Sequence, residues 1–278
     1  MPELPEVEIA ARVVRACLEG HALTRVTVHD ARIVRKQSKA AFRKAVLGRA
    51  VHAVTRRGKH LLLMLDDGNV VWVHLGMTGK LVAVPNGARP PANTRITFAH
   101  GEGRLCFRDP RIFGGVTAGP GDRVRESSGW NRLGVDALDI GRSGKRLRMA
   151  LVPKGVGRRD IKVALMDQHR LAGVGNIYAS EALFRAGVSP TTPVGELAGV
   201  SWGRIARGLA AAMGETLGAH SEGQITYLKE GGVDNPFLVY GRAGEPCPRC
   251  GAAIVRTVQG GRATFACGKC QPDNQPGT

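Results

Sequence analysis

Cys247 and Cys250 are separated by two residues, sixteen residues lie between Cys250 and Cys267, and Cys270 follows after two more. Four thiols spaced in this way leave little freedom to the last forty residues. Two Cys-x2-Cys knuckles on either side of the apolar, β-branched stretch AAIVRTVQGGRATFA predict a β-hairpin closed by a tetrahedral Zn2+. Four thiolates leave no position for water, so the metal is expected to be structural and worth on the order of 10 kcal/mol of folding free energy. Disulfides are the competing use of cysteine. They are disfavoured because the chain shows neither a signal-peptide pattern nor an apolar run of about 18 residues, which predicts a cytosolic protein under reducing conditions. Cys17, on the apolar side of a first helix, and Cys106, in a strand, are expected to be buried packing residues.

Charge points to the partner. The 278 residues carry a net charge of +17, which favours a polyanion, and nucleic acid is the commonest one for a soluble protein. The positives are clustered: Arg32, Arg35, Lys36, Lys39, Arg43, Lys44, Arg49, Arg56, Arg57 and Lys59 occur with no Asp or Glu among them. A second run extends from Arg142 to Lys162 against the single Asp160, and Lys162 is taken as a DNA-contact candidate in it. Two such runs predict a surface that follows phosphates.

The chain begins MPELPEVE. Leu4, Val7, Ala11, Val14 and Leu18 recur at steps of three and four, one face of an amphipathic helix that Gly20 ends. Pro5 suits the first turn, and Glu3, Glu6 and Glu8 suit the positive end of the macrodipole. Pro2 is left over. With Met1 removed, Pro2 becomes a secondary amine at the start of the chain. An α-amino group titrates near pH ~8 and a lysine near ~10.4, so about 250-fold more of the former is neutral below both values. Its attack on a sugar carbon would give an iminium, the Schiff-base form of covalent catalysis.

TRVTVHD, AVHAVTR, HLLLML, NVVWVHL, RITFAH and RLCFRD read as strands, with Asp66, Asp67 and Gly68 as a hairpin turn, which predicts a sandwich or barrel up to about residue 120. AGPGDR at 118–123 reads as the end of that domain. Helical periodicity follows in three segments, marked by Ile161, Leu165 and Met166, by Tyr178, Ala182 and Leu183, and by Trp202 through Leu217. LAGVGN precedes the second, with Asn176 as the expected N-cap and the glycines free to turn amides toward a phosphate.

In order along the chain, PELPEVE, RRGKHLLL, HLGMTG, DPRIFGG, LMDQHRLAGVGNIYASEALFRAG, VYGRAGEPCPRCG and GGRATFACGKCQ resemble the formamidopyrimidine-DNA glycosylase and endonuclease VIII family, nearly end to end. The resemblance implies an α+β multidomain protein. Its parts would be an N-terminal β-sandwich flanked by helices (1–122), a helix-two-turn-helix domain (130–222) and a zinc-finger β-hairpin (236–271), with duplex DNA held across the cleft. It further implies a bifunctional glycosylase and AP lyase acting on oxidised purines. The sequence carries no signal for oligomerisation, so a monomer is the default expectation. Pro2 would attack C1′, Glu3 would serve as acid/base at the sugar, Glu6 would support them, and β- and δ-elimination would cut the strand. Lys59 matches a lysine at the lesion phosphate, while Asn176 and Arg262 match residues that grip flanking phosphates. Met77, Arg111 and Phe113 match a trio that fills the hole left by the extruded nucleotide. His74 is read as architecture.

The sequence departs from the pattern at two places. Ile112 stands where many purine-specific members have the second arginine of DPRRFG, which removes a phosphate contact. The stretch at 228–240 is also shorter than the loop that closes over 8-oxoguanine in those members. An endonuclease VIII-like enzyme for oxidised pyrimidines, or an inactive DNA-binding relative, are the alternatives.

Overall fold

The computed structural model describes residues 2–152, 157–219 and 235–273. They form two compact units, one within Met1–Arg132 and one within Leu133–Ala219 and Thr226–Thr278.

The first unit opens with α1 (Leu4–Leu18), and the predicted apolar stripe is its buried face: Leu4, Val7, Ala11, Val14 and Leu18 are at most 1% exposed. After β1 (Arg25–Val28) and a 3-10 turn come α2 (Lys39–Val46), β2 (Val51–Arg57), β3 (His60–Leu65), β4 (Asn69–His74), β5 (Lys80–Pro85), β6 (Thr94–Ala99), β7 (Gly103–Arg108), β8 (Gly115–Pro120) and α3 (Gly121–Ser127). Two four-stranded sheets result, ordered β1-β6-β7-β5 and β2-β3-β4-β8, all with antiparallel neighbours. One core joins α1, α2 and both sheets, including Phe42, Leu61, Val73, Phe98, Phe107 and Val116.

Three elements depart from the sequence reading. The helix α2 lies inside the first basic run, started by the Ser38 hydroxyl accepting the Ala41 N–H at 3.1 Å and held by buried Phe42 and Val46. β5 and β8 are edge strands, which is where proline and glycine are tolerated in a sheet. AGPGDR is therefore the end of β8 and the start of α3. Cys106 is buried as expected, whereas Cys17 is only half-buried, with Sγ 3.8 Å from His100 Nε2.

The second unit holds β9 (Val135–Asp136), α4 (Ala137–Ile140), α5 (Gly144–Leu151), α6 (Ile161–Leu165), β10 (Leu171–Ala172), α7 (Asn176–Ala186), α8 (Gly199–Ala219) and the hairpin β11 (Val255–Gln259) and β12 (Arg262–Ala266). α7 packs on α8 and on β12. Nearly every residue of α7 is buried, and Glu181 in its middle accepts the backbone N–H groups of Leu238, Val239 and Tyr240 at 2.9 to 3.0 Å. Gly175, not Asn176, occupies the N-cap, in extended conformation, so Asn176 is the first helical residue. Residues 271–273 are tied down: Gln271 bonds Cys267 and Val188, and Asp273 accepts from Ser189 and Thr191. Residues 228–234 of the shortened stretch lie outside the described residues.

Candidate active site and nucleic-acid contacts

Glu3 and Glu6 close the start of α1 on each other. The Glu3 N–H donates to Glu6 Oε2 at 2.8 Å, and the Glu3 carboxylate accepts the Glu6 N–H in return. Both are buried, as is Pro2. The peptide that follows Pro2 is thus fixed by a side chain one turn further on. Glu8 does not serve the helix terminus as expected. Its carboxylate accepts Arg56 Nε at 2.6 Å and Arg15 Nη1 at 3.0 Å, and Arg56 Nη1 reaches Gly58 O at 3.2 Å. A carboxylate on α1 therefore holds the β2–β3 turn that carries Lys59. No sequence signal singled out this pairing, because Arg56 looked like one more member of a basic run.

Beside Lys59 lies a ring cluster. His60 faces His74 across β3 and β4, with ring centroids 5.0 Å apart, and Trp72 Nε1 donates to His60 Nδ1 at 2.9 Å. The Gly76 N–H donates to His74 Nδ1 at 3.0 Å. A nitrogen that accepts carries no proton, so both imidazoles hold theirs on Nε2. Burial, with His74 and then Lys59 adding to it, lowers the His60 pKa to about 3, and burial followed by Lys59 lowers that of His74 to about 4. His74 is therefore a neutral Nε2–H donor near Lys59, a role the sequence reading missed.

Two loops meet at glycine. A Cβ on Gly76 would overlap the backbone of Phe113 and Gly114, and one on Gly114 would stand 2.7 Å from Phe107 Cζ and 2.8 Å from His74 O. Asp109 joins the loops: Oδ1 accepts Thr78 Oγ1 at 2.5 Å and the Arg111 N–H at 3.3 Å, while Oδ2 accepts the Gly114 N–H at 2.8 Å. This contact displays Met77 at 45% and Phe113 at 47% exposure, with the Arg111 guanidinium 4.5 Å over the Phe113 ring. Between them Ile112 sits at φ +55°, where a β-branched residue costs on the order of 1–3 kcal/mol. The fold thus brings together the three candidates for filling a base-pair gap.

In the second unit, the candidates separate. Lys162 is fully buried, and its Nζ donates to Ala263 O at 3.2 Å and to Thr264 Oγ1 at 2.8 Å. It holds β12 and does not face solvent, which corrects its reading as a DNA contact. Asn176 Nδ2 donates to the same Ala263 O at 2.8 Å, and its buried Oδ1 has no partner among the described residues. Arg262 follows the Gly260–Gly261 turn and is exposed. The four cysteine Sγ atoms all lie within 4.8 Å of one another, with Cys247–Cys270 at 3.9 Å and Cys250–Cys267 at 3.5 Å. Tetrahedral thiolates around Zn2+ have edges of about 3.8 Å, so this donor set fits one structural zinc. Arg249, within the first knuckle, caps α7 through Phe184 O and Arg185 O.

The first basic run is less open than its sequence suggests. Arg32 is bonded to Asp30, Arg35 to two carbonyls, Arg49 to Asp67 and Arg56 to Glu8. The second is likewise thinned by the Arg159–Asp167 pair at 2.6 Å.

Comparison with known proteins agrees with this arrangement. Residues 1–116 match the formamidopyrimidine-DNA glycosylase N-terminal domain, 133–227 its H2TH domain, and 244–272 the zinc finger found in that enzyme and in IleRS. The formamidopyrimidine-DNA glycosylase of Burkholderia thailandensis is 39% identical over 282 residues, covering 98% of this chain and all of that one. A Lactococcus lactis FPG mutant in complex with Fapy-dG DNA superposes with a TM-score of 0.83 at 26% identity, covering 98% of this chain and all of that chain. The wild-type Lactococcus enzyme with DNA containing an oxidised pyrimidine gives 0.82 at 27%, with the same coverage. Motifs, fold and cysteine cluster agree with a match over the full length of a named relative, and the chain belongs to the formamidopyrimidine-DNA glycosylase family of zinc-finger DNA repair enzymes.

Proposed function

We propose that this chain is a bifunctional DNA glycosylase and AP lyase for oxidised purines in duplex DNA, with the Pro2 amine as nucleophile after loss of Met1. The observation that carries this reading is the buried Glu3–Glu6 reciprocal cap directly after Pro2. A cap alone needs no proline before it. Here it fixes the peptide of a residue whose nitrogen can attack C1′. The glycosidic bond breaks as the Pro2 N–C1′ bond forms, the base leaves with a proton, and ring opening leaves an iminium with Glu3 moving protons at the sugar. Loss of a C2′ proton expels the 3′ phosphate, a further elimination expels the 5′ phosphate, and water frees Pro2.

Lys59 supplies a charge and His74 a neutral N–H to lesion phosphates. Met77 and Phe113 occupy the gap left by the extruded nucleotide, and Arg111 meets the orphaned base. In the second unit Asn176 and Arg262 meet flanking phosphates, and the zinc cysteines hold the hairpin that presents Arg262. Borohydride trapping on 8-oxoguanine, formamidopyrimidine and abasic duplexes tests the reading. Covalent adducts are expected on all three, and binding with steep salt dependence but no adduct would contradict it. A second reading, oxidised pyrimidines as the main substrate, is favoured by the shortened stretch at 228–240 and by the oxidised-pyrimidine DNA bound to the Lactococcus relative. Faster release of thymine glycol than of 8-oxoguanine would select it.

A further inference from the structure

Arg35 belongs by sequence to the first basic run, but its guanidinium is turned inward. Nη2 donates to Ile112 O at 2.9 Å and to Gly114 O at 2.6 Å, and Nε donates to Gly114 O at 3.2 Å. Its backbone N–H binds Val116 O at 2.8 Å, and its Cγ lies where a Cβ on Gly115 would come within 2.6 Å. Two residues later, Gln37 Oε1 accepts Thr117 Oγ1 at 2.6 Å and the Ala118 N–H at 3.0 Å, so the segment is fastened along β8. Asp109 satisfies the N–H side of the 109–114 loop, and Arg35 satisfies its carbonyl side. Between these two clamps Ile112 is kept at φ +55°, a conformation that persists only where its surroundings over-determine it. A lysine in its place would offer a point-charge ammonium on a flexible stem, without the planar fork whose donors are fixed toward the two carbonyls.

We propose that Arg35 is a positioning residue for recognition of the orphaned base: by holding Ile112 in the left-handed region it aims Arg111 and Phe113, without touching DNA itself. This role rests on the glycosylase reading above. Without the guanidinium, Ile112 relaxes toward negative φ and rotates the two side chains that flank it.

The test compares wild type, Arg35→Met and Arg35→Lys in three measurements. These are excision of 8-oxoguanine opposite cytosine and opposite adenine, borohydride trapping on a single-stranded abasic oligonucleotide, and fluorescence of 2-aminopurine beside the lesion. Single-stranded DNA has no orphaned base, so its trapping reads the Pro2 chemistry alone. Arg35→Met is expected to lower excision opposite cytosine about tenfold. It should also shrink the opposite-base ratio toward unity and reduce the 2-aminopurine signal, with single-strand trapping at the wild-type level. Adding Ile112→Asn, a residue that accepts positive φ, should restore the ratio. If Arg35→Met does not fold, Arg35→Lys is expected to show the same pattern. An unchanged ratio, full function in Arg35→Lys, or equal losses on single and double strands would overturn the role. Absence of trapping by wild type on any DNA would instead remove the enzymatic reading beneath it.

Discussion

Glu6 Oε2 accepts the backbone N–H of Glu3 at 2.8 Å, one peptide away from the nitrogen of Pro2. The first turn of a helix thereby becomes a support for the residue preceding it. Replacing Glu6 with Ala leaves that buried N–H without its acceptor, at a cost of about 1–3 kcal/mol. Glu6→Ala is expected to melt earlier and to trap abasic DNA much more slowly, whereas Glu6→Gln, which keeps an acceptor oxygen, should recover the melting temperature. Calorimetry alongside trapping rates checks both, and an unimpaired trapping rate in Glu6→Ala would show that Glu6 does not support the nucleophile.

The imidazoles of His60 and His74 stay neutral in the folded state because burial lowers their pKa values to about 3 and about 4. In the unfolded chain each titrates near ~6.5, so the unfolded state gains protons first as the pH falls. Their contribution to stability is therefore complete above about pH 6.5 and declines down to about pH 4 and 3. Urea unfolding at a series of pH values should show the decline, and the His60→Phe variant should show a shallower one.

Arg262 opens β12 of the finger hairpin and Lys162 bonds that same strand, but only Arg262 faces solvent. Arg262→Ala should reduce the slope of log K against log salt for DNA binding by about 0.9, the loss of one phosphate contact. Lys162→Met should leave the slope unchanged and lower stability, because its ammonium bonds Ala263 and Thr264 inside the protein. Salt titrations of the two variants measure both, and a lowered slope for Lys162→Met would return Lys162 to the DNA surface.

One zinc per chain is expected, released by chelator with loss of the β11–β12 hairpin. Phe265 and Ile254 pack with Cys247 and Cys267 in one small cluster, too small to hold the hairpin without the metal. Metal analysis with hydrogen exchange of residues 255–266 checks this, with α1 protection unaffected.

The sequence made visible what depends on periodicity and spacing. The α1 stripe, six strands and the four cysteines were all legible there, because each follows from a repeat of side-chain types. Contacts that cross long stretches of chain were not. Arg35 and Ile112 are separated by 77 residues, and Lys162 and Ala263 by 101, so nothing local marks a basic residue as inward-facing. Asn176 looked like a cap because amides favour that position, yet a bond to a hairpin carbonyl 87 residues away engages its side chain. His74 was passed over for the same reason: its neutrality comes from burial and from the nearby Lys59 charge, and neither can be read from a single histidine.

The claim on which the account depends is the identity of the attacking nitrogen. Borohydride-trapped complex on abasic DNA should be digested and the modified peptide sequenced by mass spectrometry. The account predicts a chain lacking Met1 with the sugar fragment on the Pro2 nitrogen. An adduct on Lys59 or any other lysine, or full activity in a chain that retains Met1, would contradict it.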